Sequence, residues 1–324
     1  MIDAVVTWVD GNDLKHREKI AKYSSMEEFE DTDPKINEPT RFADNNEIWY
    51  CINSIRKYAF FIDKIFLVTD NQKPAWLNDK LQKDYNIDIV DHKVMFAGYQ
   101  EYLPTFNSQT IESMFHKIPG LSEKFIYFND DVILVNPVVE SDYFEDDKLI
   151  YRGDWQWKVS IKQNIARFIP LNDIFILNII SKGFVGYRNE QEYFKKSRYR
   201  LFKLAHTLHP MKKGLLEEIF IDEEFLKQQL KYRFRNKKQY WPFSLAANIA
   251  MQKGLARRGP NDYVCFNCSE FNMKQLKAWL DFFKQNRKIK SVCIQSLDLA
   301  NLEIEKSLKN FLDDRLKITT VPGS

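Results

Sequence analysis

Residues 125 to 137 place Asn129, Asp130 and Asp131 between two apolar runs, Phe125 to Phe128 and Val132 to Val135, each fit for a strand. Adjacent carboxylates at the end of a buried strand repel each other and are costly to desolvate. Strand pattern continues on both sides, and no Gly or Pro intervenes to mark a turn. Two further strand-like runs end in polar clusters, Asp10-Gly11-Asn12-Asp13 and Asp70-Asn71-Gln72. Aspartates at strand ends often serve as turn formers and helix caps. Three clusters on one rim suit a polar ligand with a bound divalent cation instead, because hard cations take oxygen ligands. Mg2+ (or Mn2+) with a nucleotide diphosphate is the usual pairing for such a rim.

Other residue types add to this chemistry. His206 and His209 would share a face if “YRLFKLAHTLHP” is helical up to Pro210. Such a pair suits a general base with its partner, a phosphate contact, half a metal site, or a plain surface pair. Arg233 or Arg235 could grip phosphate oxygens in bidentate fashion, or belong to a solvated basic strand. Glu112 falls mid-helix in “TIESMFHKI”, where a glutamate is ordinarily solvated.

These residues need a scaffold. The chain has 324 residues, 44% apolar and 15% aromatic, enough for a packed core and against disorder. Strands alternate with helices over the first 135 residues, which predicts an α/β fold with a mostly parallel sheet. In such sheets ligands bind beyond the carboxyl ends of the strands. The spacing predicts helices at 45–58, from a cap at Asn107 or Ser108 toward Pro119, and at 190–206, 214–231 and 243–254. Three segments follow: 1–155 as an α/β nucleotide-binding core, 156–258 as a helix-rich insertion, and 259–324 as an α/β return completing the core.

The 48 basic and 45 acidic residues leave a net charge of +3, not the focused basic excess of a nucleic-acid binder. Local basic stretches at 195–203 and 231–238 leave room for an anionic site or for peripheral contact with anionic lipid. The four cysteines form no disulfide framework, and Cys265 and Cys268 read as ordinary reduced thiols. With neither signal peptide nor spanning segment in the pattern, a cytoplasmic location is expected.

“IDAVVTWVDGND”, “RFADNNEIWYCINSIRKYAFFIDKIFLVTDNQKPAWL”, “YLPTFNSQTIESMFHKIPGLSEKFIYFNDDV” and “LAHTLHPM” follow the order of the conserved regions of the Stealth family. On these motifs the chain resembles that family, which comprises bacterial capsular polysaccharide phosphotransferases and the catalytic subunit of the animal Golgi GlcNAc-1-phosphotransferase. The match covers most of 1–135 and thins over 200–240. The resemblance implies a GT-A/Rossmann-like fold and Mg2+-dependent transfer of a sugar-1-phosphate, typically from UDP-GlcNAc, onto a sugar hydroxyl of a polysaccharide or oligosaccharide acceptor. UMP would leave, and the sugar C1–O bond would survive.

By motif it implies that Glu112 and Asp131 are catalytic or metal-associated, that His206 is the acceptor base and that Arg235 clamps phosphate, with Arg233 its rival. It places Asp10, Asn12 and Glu47 at the nucleotide. Asn129 joins them from the strand-end cluster, and Asp130 with Asp131 would hold the metal. Trp49 and Asn53 stand where the family has arginines. A metal-dependent glycosyltransferase releasing UDP and a non-catalytic carbohydrate-binding subunit are the other readings.

Overall fold

The computed structural model describes residues 1–24, 44–157, 200–236 and 238–318. Its central sheet begins with β1 (Ile2–Thr7), β2 (Ile62–Thr69), β3 (Ile87–Asp91) and β4 (Lys124–Asn129). β1 lies parallel between β2 and β4, and β3 extends the sheet parallel to β2. Ala4, Val5, Val6, Ile65, Leu67, Phe125 and Ile126 are all buried, as expected where both faces of a parallel sheet are covered. Thr7 pairs with Val68 on one side and Asn129 on the other. That register brings the three polar clusters to one rim.

At Asp130-Asp131 the chain turns and leaves this sheet. β5 (Val132–Leu134) pairs antiparallel with β13 (Ser291–Gln295), which runs parallel to β12 (Tyr263–Asn267). The expectation of uninterrupted strand is thus corrected: the two aspartates form the turn between two sheets, without Gly or Pro. Asp131 O still accepts from Ile294 N at 3.0 Å, which fixes the turn against β13.

β6 (Phe144–Glu145) and β7 (Lys148–Tyr151) form a further sheet with β11 (Ala256–Arg258), and β8 (Gly153–Trp157) is followed by β9 (Arg200–Leu204) and β10 (His209–Lys212). β10 is the antiparallel edge of the central sheet, with His209 opposite Tyr127. β9 pairs with β8, Phe202 opposite Trp155. A helix over 190–206 is therefore not what the described part, 200–206, forms; residues 190–199 lie outside the described residues. The apolar run was too short for its period to separate strand from helix, and pairing with β8 decided it. His206 and His209 consequently do not share a helix face. The helices expected at 214–231 and 243–254 form as Lys213–Ile219, Glu223–Leu230 and Pro242–Gln252.

Arg152 ties the sheets together. Its Nε and Nη2 donate to Asp262 Oδ1 and Oδ2 at 3.0 and 2.9 Å, and its guanidinium lies 4.4 Å from the Tyr143 ring centroid. No described helix is long and apolar enough to cross a membrane.

Candidate active site

The site sits on the rim where β1, β2 and β4 end. A pocket of about 450 Å³ opens there, with Asn129, Asp130, Asp131, Glu47, His206 and Arg235 among its lining. The helix Glu47–Tyr58 begins at this pocket. Asn46, at φ 67°, has no side-chain cap bond. The turn is held instead by Asp44, whose Oδ1 accepts from Asn46 N at 2.8 Å, and by Glu47, whose Oε2 accepts from Asn45 N at 2.5 Å. Trp8 Nε1 donates to Asp44 Oδ2 at 3.0 Å.

Four carboxylates therefore converge. Burial, then Asp131, Glu47 and Asp44, push the Asp130 carboxyl well above its ordinary value. Burial, with Asp44 and Asp131 adding to it, lifts Glu47 to about 7. Asp44 and Asp131 are raised chiefly by burial as well. Asp131 Oδ1 is buried and has no hydrogen-bond partner. Four carboxylates raised by burial, two of them further by others of the four, together with an orphaned oxygen, fit a divalent cation, which would neutralise them.

The other two clusters are differently engaged. Asp10 Oδ1 accepts from Asn12 N at 2.7 Å, and Asn12 Oδ1 accepts from Arg17 Nη2 at 2.9 Å. Both side chains close a turn beside the pocket and are not among its lining residues. Burial would raise Asp70, but hydrogen bonds from His16 and Lys19, at 3.3 and 2.8 Å, outweigh it and hold the carboxyl well below the usual range. Of the three, Asn129-Asp130-Asp131 alone puts carboxylates on the pocket wall.

His206 follows β9 and is 43% exposed, its Nε2 3.8 Å from Asp131 Oδ2 and 3.5 Å from Gln295 Nε2. His209 is buried against Trp241 and Phe243, with ring centroids 5.4 and 5.6 Å away, and burial pushes its pKa down to about 3. It belongs to the core, and only His206 of the pair reaches the pocket.

Glu112 ends the short helix Ser108–Glu112 and is 3% exposed, where solvation was expected. Trp241 Nε1 donates to its Oε2 at 2.8 Å, and Tyr127 Oη lies 3.4 Å from Oε1. Burial lifts Glu112 to about 7, opposed by Arg235 and by hydrogen bonds from Trp241, Tyr127 and Ser108. Arg235 Nη2 donates to Ser108 Oγ at 2.7 Å, so Ser108 links the buried glutamate to the arginine. Asn107 fixes this unit. Its Oδ1 accepts from Gln109 N at 3.1 Å, while its Nδ2 donates to the carbonyls of Tyr232 and Phe234 at 3.0 and 2.9 Å. Arg233 is used elsewhere, donating to Pro104 O and Glu101 O at 2.7 and 2.9 Å.

Residues 2–28 match conserved region 1 of the Stealth proteins, and residues 41–151 match conserved region 2. A capsular polysaccharide phosphotransferase of Haemophilus influenzae is 33% identical over 307 residues, which span 93% of this chain and 79% of that protein. The chain belongs to the Stealth family. The receptor polysaccharide phosphotransferase WefC of Streptococcus gordonii is 42% identical over 149 residues, 46% of this chain and 42% of that protein. Among solved structures, galactosyltransferase LgtC aligns with 100% of this chain and 98% of its own at TM-score 0.45 and 10% identity. Mouse xyloside xylosyltransferase 1 does so over 90% of this chain and 97% of its own, at 0.39 and 10%. The fold of this Stealth protein rests on its strand order, not on those overlays. Its relatives make it an enzyme.

Several residues beside this candidate site carry no mark in the sequence of this Stealth protein. Asp44 stood unmarked in a quoted motif. Cys293 Sγ donates to Asp131 Oδ2 at 3.3 Å, and Gln295 meets His206, both from one face of β13. No spacing signal links residues so far apart in the chain. Trp49 and Asn53 are packing residues here: Trp49 meets Trp76 edge-on at 4.9 Å, and Asn53 Oδ1 accepts from Tyr85 Oη at 2.7 Å.

Proposed function

We propose that this Stealth protein transfers a sugar-1-phosphate from a UDP-sugar, GlcNAc or a related hexose, to a hydroxyl of a surface polysaccharide and releases UMP. The observation that carries it is the placing of His206 beside Asp131 at a carboxylate cluster, with Arg235 on the same pocket wall. The name of a relative that matches 93% of the chain, a capsular polysaccharide phosphotransferase, supports the phosphotransfer part of this reading.

His206 Nε2 takes the proton of the acceptor hydroxyl, whose oxygen attacks the sugar-linked β-phosphorus. The anhydride bond to the α-phosphate breaks, UMP leaves with the bridging oxygen, and the sugar C1–O bond stays intact. Arg235 binds phosphate oxygens as charge shifts to the leaving group, and Glu112 positions it through Ser108. Asp130 and Asp131 would hold Mg2+, which supplies neutralisation of the diphosphate charge.

Incubation with UDP-sugars, Mg2+ and oligosaccharide acceptors, read by phosphorus NMR, tests this. A new phosphodiester signal with UMP is expected. UDP with no phosphodiester would instead mark glycosyl transfer, and failure with every donor and acceptor would favour a binding subunit. Arg235→Ala is expected to lower kcat/KM about 10-fold, the worth of one charge-assisted hydrogen bond. Arg233→Ala, away from the pocket, leaves it within about twofold in the same assay.

A further inference from the structure

We propose that Asp131, His206 and Cys293 form a site for a thiophilic divalent cation, zinc by its chemistry, separate in kind from the oxygen-ligated metal of the reaction. Cys293 Sγ and His206 Nε2 lie 3.3 and 3.8 Å from the same oxygen, Asp131 Oδ2, and the three donor atoms fall within 4.8 Å of one another. Zinc bonds to sulfur, nitrogen and oxygen place tetrahedral ligands roughly 3.4–3.6 Å apart, so two of the three pairs already sit near that span, and the third, within 4.8 Å, closes by movement of the exposed His206 ring. A thiol and an imidazole are poor partners for Mg2+ but the preferred ones for zinc. Asp131 Oδ1, buried and without a partner, stays available to a second cation.

The surroundings support this assignment. Cys293 is buried on β13, and Cys265, its in-register neighbour on β12, hydrogen-bonds to it through the thiols. A second sulfur therefore backs the first. His206 is 43% exposed, which leaves an entry path and room for a water as fourth ligand. On binding, the Cys293 proton passes to solvent and the thiolate bonds to the metal. If His206 is the acceptor base, as proposed above, zinc on its Nε2 removes the lone pair that base needs. Occupancy then switches the enzyme off.

The metal-free protein titrated with Co2+ tests the site without catalysis. Expected are a near-ultraviolet thiolate-to-cobalt absorption and its loss when Zn2+ displaces the cobalt. Cys293→Ser should abolish the absorption. His206→Ala, at an exposed position that does not threaten folding, should weaken cobalt binding by more than about 10-fold, a loss that even outer-shell changes can cause. The variant lacking both Cys265 and Cys268 should keep the absorption. An absorption that never forms, or that survives Cys293→Ser, overturns the site. One lost only without Cys265 and Cys268 places the metal on that segment and overturns it equally. Cobalt absorption without zinc inhibition of UMP release would leave the site standing and refute His206 as the base.

Discussion

His206→Ala is expected to lower turnover about 100- to 10,000-fold, the range of a lost general base, while the thermal unfolding midpoint stays in place. Both halves follow from position. The ring is 43% exposed, and its polar neighbours are Asp131 at 3.8 Å and Gln295 at 3.5 Å. It fills no core cavity, so the truncation removes chemistry and little packing. Asp131→Asn is expected to abolish turnover too, for a different reason. Its carboxylate is raised by burial and sits against Asp130, so a neutral amide relieves repulsion, and the midpoint should not fall. Steady-state rates and calorimetry on both variants check this. Near-wild-type turnover in either would mean the site lies elsewhere.

The strands that carry this site were legible because both faces of the central sheet are buried. Ile2 to Thr7, Ile62 to Thr69 and Lys124 to Asn129 spell near-continuous apolar runs, and their parallel pairing puts all three polar endings on one rim. What each ending does was not legible. Asp70 is satisfied by His16 and Lys19, and Asp10 by its own turn, through contacts that local spacing does not encode. The segment before His206 was misread as helix because its apolar positions fit either period until β8 supplied a partner. By residue type alone Glu112 reads as solvated, because a helical glutamate usually is, and only the motif resemblance marks it for the site. Its burial depends on Tyr127 beneath it and Trp241 beside it, 129 positions away. Cys293 and Gln295 reach the site only because the turn at Asp130-Asp131 passes the chain to a second sheet.

Glu112→Gln should separate stability from function most sharply. The wild-type carboxyl is buried and titrates at about 7 in the folded protein, against an ordinary value of 4.5. The folded state thus binds this proton more tightly than the unfolded state, and between those values stability falls as pH rises. The penalty is complete above about 7 and absent below the ordinary value. A neutral amide of the same shape escapes it. The stability difference between variant and wild type should therefore grow by about 3 kcal/mol from pH 4.5 to pH 8.5, an upper figure at 1.36 kcal/mol per pKa unit. Taking that difference cancels the titrations common to both proteins, including Glu47, also raised to about 7, and the buried His209. Activity should move the other way. With Glu112 neutral, the charge that holds Arg235 is lost, and kcat/KM should fall about 10-fold, as for an arginine loosened from its phosphate contact. Denaturant unfolding across that pH range, beside kinetics at pH 8, measures both. A stability difference that does not change with pH would mean Glu112 titrates normally and cannot be the buried group that ties Arg235 to the core.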